Sequence, residues 1–141
     1  MTTKRITLLL LSLLLLFFLL FSLNKFSRKS NIELIIEKIN EDYKGVVLDK
    51  FAPRDTKPTH LKIKTLDSQF NICPNKEVVK QATIGDSIIK IKDENYVYLI
   101  KNDGTKYRFF YTKISNETRN SKFFPKEWKN MWLESTKWDD K

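Results

Sequence analysis

The chain has 141 residues, of which 41% are hydrophobic and 30% charged, and its formal net charge is +9 at pH 7. A chain of this length has room for one domain with one modest core. Its single cysteine excludes an intramolecular disulfide, and its three glycines exclude a hidden glycine-rich phosphate-binding loop.

The excess of basic charge lies mostly outside the part expected to fold. All 17 acidic residues follow residue 30, whereas five bases flank a hydrophobic segment near the N-terminus, namely Lys4, Arg5, Lys25, Arg28 and Lys29. Residues 30–141 therefore carry 21 bases against 17 acids, a net charge of +4. Nucleic-acid-binding domains usually concentrate basic charge on their surface, so nucleic acid is not an expected partner.

A membrane-spanning helix is the first element predicted along the chain. Ile6 to Leu23 is a run of eighteen residues without a charge, Gly or Pro, and fifteen of them are Leu, Phe or Ile. As a helix this run is about 27 Å long, close to the thickness of the hydrocarbon core of a bilayer. Residues 1–29 are thus predicted to form an N-terminal tail, a transmembrane anchor over about 6–23 that contacts the lipid bilayer, and a basic flank.

The alternative to a retained anchor is a cleaved signal peptide that begins with Lys4 and Arg5. The apolar run exceeds the roughly 7–15 residues of such peptides, and no small-x-small pair follows it, which favours a retained single-pass anchor. The flanking bases nearly balance and leave the orientation open. The short N-terminal tail favours a cytoplasmic N-terminus and an extracytoplasmic domain.

Residues 30–141 are predicted to form a single α+β domain that begins with a short amphipathic helix. Ser30 and Glu33 have the spacing of a capping box, which marks the start of a helix. The apolar residues that follow at helical spacing are Ile32, Ile35, Ile36 and Ile39. This pattern predicts a helix over about 31–42.

Residues from about 44 to 114 are predicted to form a small antiparallel sheet or barrel of five or six strands, because β-branched and aromatic runs recur there between turn residues. The Asp103-Gly104 pair between two aromatic runs is the clearest hairpin signal, since tight turns need positive φ. The expected strands are 43–51, 60–66 with a continuation over 70–72, 87–92, 95–101 and 105–114, with a helical turn at 76–81.

An aromatic-rich helix over about 125–137 is predicted at the C-terminus. Pro125 suits a first helical turn, and Trp128 and Trp132 follow near helical spacing. An amphipathic helix that covers one end of the sheet is the favoured interpretation. An interfacial tryptophan belt that includes Trp138 is the alternative.

Ile84-Gly85-Asp86-Ser87-Ile88 resembles the first block of GDSL-type hydrolases, and the resemblance implies Ser87 as a nucleophile. In that family a later Asp-x-x-His motif supplies the base, whereas no histidine follows Ser87 here. The simpler interpretation is a tight turn before a strand, in which Gly85 takes a positive φ and Asp86 binds nearby backbone N–H groups.

A cysteine hydrolase would have to pair Cys73 with His60, the only cysteine and the only histidine. Such a pair needs a third, orienting group, and an isolated cysteine is more often a small buried hydrophobe. Neither Asp93-Glu94 nor Asp139-Asp140 has the alternating ligand spacing of a calcium loop. The sequence therefore assigns no catalytic, cofactor-binding or metal-binding residue.

Basic residues alternate with aromatic ones along several predicted strands, as in OB-type sheets that hold single-stranded nucleic acid. These residues are Lys62, Lys64, Lys90, Lys92, Lys101, Lys106 and Arg108, with Tyr96, Tyr98, Tyr107 and Phe109. The interspersed acids favour a solvated strand face instead.

The hydrophobic N-terminus, Tyr43-x-Gly45-x-Val47 and Ile84-Gly85-Asp86-Ser87-Ile88-x-Lys90 together resemble small envelope-associated bacterial proteins of uncharacterised activity. The resemblance implies an envelope location and no particular activity. We therefore expect a non-enzymatic, membrane-anchored binding or scaffolding module of the envelope, with a protein, peptide or glycan partner. A small serine or cysteine hydrolase is the alternative.

Overall fold

The computed structural model describes residues 3–54 and 57–137, with side chains from residue 10 onward in the first helix. The chain divides into two compact units, and the boundary falls between Leu34 and Ile35. The second unit holds all the strands.

Helix α1 runs from Thr3 to Asn40 without interruption. Its described part, Leu10–Asn40, includes an apolar stretch that is long enough to cross a membrane, judged by length and composition. The large apolar side chains from Leu10 to Leu23 are each more than half exposed, so they are not part of a protein core. In a membrane these apolar side chains would contact the hydrocarbon core of the bilayer.

The prediction of a separate helix beginning at the capping box was wrong, because α1 continues through Ser30 and ends at Asn40. A capping box favours a helix start only where the preceding residues leave the helix, and no Gly or Pro interrupts this stretch. Glu33 instead pairs with Lys29 one turn earlier, at 3.6 Å, as charged residues inside a helix commonly do.

The second unit contains one six-stranded antiparallel sheet, which confirms the predicted α+β class. Its strands are β1 (Tyr43–Phe51), β2 (His60–Lys64), β3 (Gln69–Ile72), β4 (Ser87–Lys90), β5 (Tyr96–Ile100) and β6 (Lys106–Phe110). The spatial order is β3-β2-β1-β4-β5-β6, so β3 and β6 are the two edges and the strands of the described residues form an open sheet, not the barrel that was the other expectation. The Asn75 side chain nevertheless donates to the Phe110 carbonyl at 2.5 Å, which links the segment after β3 to the end of β6.

The core lies on one face of the sheet, beneath the short helix α2 (Lys76–Gln81). Asn75 caps this helix, since its side chain accepts from the Val78 N–H at 2.9 Å. Side chains from every strand except β6 and from the α2 segment form the core cluster, together with Tyr111. Its members are Val47, Leu61, Ile63, Ile72, Val78, Val79, Ala82, Ile88, Val97, Leu99 and Tyr111.

The predicted hairpin between β5 and β6 is present. Gly104 has φ +86°, and its N–H donates to the Lys101 carbonyl at 2.9 Å. The Lys101 N–H donates to the Thr105 carbonyl at 2.8 Å and closes the turn. The left-handed position that glycine tolerates therefore lies where the sequence indicated.

The predicted C-terminal helix over 125–137 was wrong in form. After α3 (Asn116–Arg119) the described residues, which end at 137, form two 3-10 helices, Lys126–Trp128 and Leu133–Thr136. The buried guanidinium of Arg119 explains the break in the helix. It donates to the carbonyls of Lys129, Met131 and Trp132 at 3.1, 2.6 and 2.6 Å. In a continuous helix these carbonyls would accept from backbone N–H groups one turn later. Trp138 and Asp139-Asp140 lie outside the described residues.

Candidate functional site

The sheet register divides the basic and aromatic residues singled out in the sequence between two faces. Residues directly opposite each other on neighbouring strands share a face. Lys44, Ile89, Tyr98 and Arg108 form one such row on the outer face, to which Lys62, Lys64 and Lys106 also belong. A second row on the core face consists of Tyr43, Lys90, Val97 and Phe109. The set therefore does not make one continuous basic surface.

The Gly85-Asp86-Ser87 motif forms a tight turn that is held by hydrogen bonds. Gly85 has φ +94°, as predicted. The Asp86 carboxylate is fully buried and accepts from the Thr83 N–H at 2.7 Å and from the Asn102 N–H at 3.2 Å. The Lys101 ammonium lies 2.6 Å from the same carboxylate. The motif thus joins the start of β4 to the β5–β6 hairpin.

The pKa of Asp86 follows from these contacts. Burial alone raises the pKa, but the hydrogen bonds from Lys101 and Thr83 outweigh that effect and hold it below the usual value for an aspartate. Lys101 uses its other donors on the Gln81 carbonyl and the Thr83 hydroxyl, both at 2.9 Å. Each of these charged groups is therefore satisfied by the other or by the backbone.

The structure does not bring Ser87 and His60 together. Val46 of β1 pairs with Ser87 on one side and with Lys64 on the other, and His60 lies four residues from Lys64 along β2. At usual sheet spacings the two residues are about 16 Å apart. A serine nucleophile with His60 as its base is therefore incompatible with this sheet.

Cys73 and His60 do lie near each other, at the ends of adjacent strands. The ladder between β2 and β3 ends at the pair Leu61 and Ile72, one residue before them. The Cys73 thiol lies 3.6 Å from the Thr59 carbonyl, and His60 Nδ1 lies 2.8 Å from the Thr59 hydroxyl. Within the described part of the chain the Thr59 hydroxyl is the group that hydrogen-bonds to the His60 ring and no carboxylate does, so an acidic third member of a catalytic arrangement is not found there.

A cleft of about 410 Å³ opens beside edge strand β3, and we call it the β3 cleft. The last turn of α1, the start of β1, the β3 segment and Tyr111 contribute to its walls. The lining residues are Lys38, Glu41, Asp42, Tyr43, Phe70, Asn71, Ile72, Cys73 and Tyr111. Its volume lies in the range of about 300–1,000 Å³ that is common for ligand sites.

Three aromatic rings stand together in the β3 cleft. The Tyr43 ring meets the Phe70 ring edge to face, with 6.1 Å between centroids, and the Tyr111 ring in a similar way at 6.4 Å. The Tyr111 hydroxyl donates to the Glu41 carboxylate, and the Tyr43 hydroxyl donates to the Tyr111 hydroxyl at 3.4 Å. Burial is the main cause that raises the pKa of both tyrosines, so both hydroxyls stay protonated at neutral pH.

A buried ammonium lies behind this group of rings. Lys90 is fully buried, and its Nζ donates to the carbonyls of Ile39, Ile91 and Glu41 at 2.7, 2.8 and 3.2 Å. The same Nζ lies 5.2 Å from the centre of the Tyr111 ring. Burial lowers the pKa of Lys90, whereas nearby carboxylates, Glu41 first, oppose that effect. Lys90 therefore binds the Ile39 carbonyl in the last turn of α1 and the Glu41 carbonyl just after the helix.

Several exposed groups in the β3 cleft, the side chains of Lys38, Asp42 and Phe70 among them, are not satisfied by the described part of the protein. The Asp42 side chain is exposed and makes no hydrogen bond or ion pair with any residue in 10–54 or 57–137. The Phe70 ring remains 37% exposed although it belongs to the core face of β3. An uncommitted carboxylate beside an exposed ring is suited to contact a second molecule.

Sequence patterns alone did not identify the β3 cleft as a site. It indicated Phe70 and Ile72 only as a strand, and Glu41 and Asp42 only as the end of a helix. Tyr43, Phe70 and Tyr111 come from distant parts of the chain, so only the sheet topology reveals that they meet. A polar, four-residue edge strand with one aromatic residue was the sole local hint.

Comparisons with protein-family models, with curated proteins and with solved structures find no match for this chain.

Proposed function

We propose that this protein is a single-pass membrane protein whose domain is a non-enzymatic binding module, with the β3 cleft as its recognition site. The observation that carries the proposal is the coincidence of three features at one place: a cleft of ligand size, an exposed aromatic ring at Phe70 and an unpaired carboxylate at Asp42. An envelope protein, peptide or glycan is the expected partner.

The position of the cleft supports this function. Strand β3 is an edge of the sheet, and an edge strand can take up an extended chain through its backbone groups. Phe70 and Ile72 line the cleft on this strand. An aromatic side chain on a rigid strand is a typical anchor point in binding interfaces.

The test is photo-crosslinking from within the cleft. A photoreactive phenylalanine analogue replaces Phe70 in the full chain in its native membrane, and the matched control carries it at Tyr107. The control is suitable because the two aromatic side chains are similarly exposed, at 37% and 41%, and Tyr107 does not line the cleft. We expect covalent adducts from position 70 that position 107 does not give, measured by gel shift and mass spectrometry. Identical adducts from both positions, or none from position 70, would contradict the proposal.

The retained anchor and its orientation belong to the same proposal. We expect the N-terminal segment to remain on the mature protein and the domain to lie on the extracytoplasmic side. Sequencing of the mature N-terminus distinguishes an anchor from a signal peptide. Protease digestion of sealed cells determines the side, since an extracytoplasmic domain is degraded and a cytoplasmic one is protected.

A further inference from the structure

We propose that the β3 cleft recognises an organic ammonium group on its partner. This inference rests on the proposed function, because it takes the β3 cleft as the binding site and specifies what the site selects. The supporting observations are the arrangement of the aromatic rings, the charges that line the cleft and the position of Lys90.

The rings form a corner that suits a cation. The Tyr43 and Phe70 rings both line the cleft and are nearly perpendicular, at 83°, so their faces point in different directions. The face of an aromatic ring carries partial negative charge and attracts an ammonium group within about 6 Å of its centre. Sites with two or three such rings are typical of alkylammonium recognition.

Lys90 shows which rings remain available. Its ammonium already lies 5.2 Å from the centre of the Tyr111 ring and is fully buried. A ligand would therefore use Tyr43 and Phe70, while the Tyr111 hydroxyl holds the Glu41 carboxylate in place.

The charges in the cleft favour a cation over an anion. Its charged lining residues are the carboxylates of Glu41 and Asp42 and the ammonium of Lys38. These three groups carry a net charge of −1, which favours a cation, and the buried Lys90 ammonium offsets part of that charge. Glu41 already accepts from Tyr111, so Asp42 is the carboxylate that a ligand would contact. An uncharged apolar ligand would remove water from Asp42 and leave it unpaired, which is unfavourable. An ammonium group satisfies both the carboxylate and the rings.

The experiment compares two probes of nearly equal shape, choline and 3,3-dimethyl-1-butanol, which differ in that only choline carries a charge. Each is titrated into the full chain in non-ionic maltoside micelles, because phosphatidylcholine would itself supply the probe. Binding is followed by calorimetry and by NMR shifts of labelled tyrosines. We expect choline to bind at least about tenfold more tightly than the neutral compound, with shifts at Tyr43.

Two pairs of variants locate the binding. Phe70→Leu removes a ring face and should weaken choline binding about fivefold, whereas Leu66→Ala, at a fully exposed apolar side chain, should not change it. Asp42→Asn should weaken it by a similar factor of about five and reduce its salt dependence, whereas Asp67→Asn in an exposed turn should not. Unfolding temperatures verify that each variant is folded.

The outcomes separate this inference from the proposed function. Equal affinity for the two probes overturns ammonium selection, and so does unchanged choline binding in Asp42→Asn. If neither probe binds while position 70 still crosslinks to a partner, the inference is wrong and the binding function stands. If neither probe binds and position 70 gives no adduct, both are wrong.

Discussion

The two ends of β4 carry polar groups that differ in whether the protein itself satisfies them. Before its first residue, Asp86 is fully buried, and its carboxylate accepts four hydrogen bonds from Thr83, Lys101 and Asn102. At the other end, the last residue of β4, Lys90, is equally satisfied, but the neighbouring β3 cleft holds a partly exposed Phe70 and an Asp42 that makes no hydrogen bond or salt bridge with the described residues. Polar groups whose hydrogen bonds are all made within the protein stabilise the fold, whereas groups without such bonds are available to a ligand. The end with the recognisable motif is therefore the structural one.

The largest expected effect on stability is at Asp86, where the hydrogen-bond network is complete. Asp86→Ala should lower the free energy of unfolding by about 3 kcal/mol, because it leaves the Lys101 ammonium and the Thr83 N–H without their partner. Lys101 is partly exposed, so water compensates some of the loss. Urea denaturation of the full chain in non-ionic micelles measures it, with Asp67→Ala as the control. A loss below about 1 kcal/mol would show that the network is not structural.

The same carboxylate should make the domain sensitive to acid. The pKa of Asp86 is lower in the folded chain than its usual value, so its charged form stabilises the fold at pH values above about 4. That stabilisation is lost as the pH falls through the folded-state pKa. Stability measured between pH 7 and 3 should fall less steeply in Asp86→Asn than in the wild type. Parallel curves for the two proteins would contradict this assignment.

Lys90→Met should cost less than the loss of Asp86, about 2 kcal/mol. Methionine retains the apolar stem and avoids burial of a charge, but the carbonyls of Ile39, Ile91 and Glu41 lose their donor. The end of α1 should loosen first, which faster amide hydrogen exchange at residues 35–40 would reveal. Lys92→Met, in the exposed turn after β4, is the control. Equal rates of amide hydrogen exchange at residues 35–40 in Lys90→Met and Lys92→Met would show that Lys90 does not hold the end of α1.

Gly85→Ala should lower the free energy of unfolding by about 1.5 kcal/mol. The residue has φ +94°, which L side chains rarely adopt, and a Cβ there would lie 2.9 Å from the Asn102 side chain. Gly104→Ala tests the steric part, because Gly104 has a similar φ of +86° with open space around it. Thermal unfolding should therefore show a smaller loss at position 104 than at 85. The reverse order would mean that contact with Asn102 is unimportant.

Features of the fold that depend on neighbouring residues were predictable from the sequence, whereas features that depend on distant residues were not. The strands, the Gly85 turn and the Gly104 hairpin were predictable because alternation and turn residues are local features. The continuation of α1 through Ser30 contradicted a local capping signal. The broken C-terminal segment was not predictable, since Arg119 binds the carbonyl of Lys129, ten residues away, and those of Met131 and Trp132. The β3 cleft depends on contacts between Tyr43, Phe70 and Tyr111, and no local pattern reports such contacts.

Ser87→Ala should have the smallest effect, within about 0.5 kcal/mol. Ser87 is half-buried between Val46 and Ile100 on the outer face, and its hydroxyl bonds to none of the described residues. Strand pairing depends on its backbone, which alanine preserves. Crosslinking from position 70 should also be unchanged.

Ester turnover that is present in the wild type and lost in Ser87→Ala would make Ser87 a nucleophile and overturn a purely binding function. The motif is explained without such chemistry, because Gly85 and Asp86 are both required by the turn.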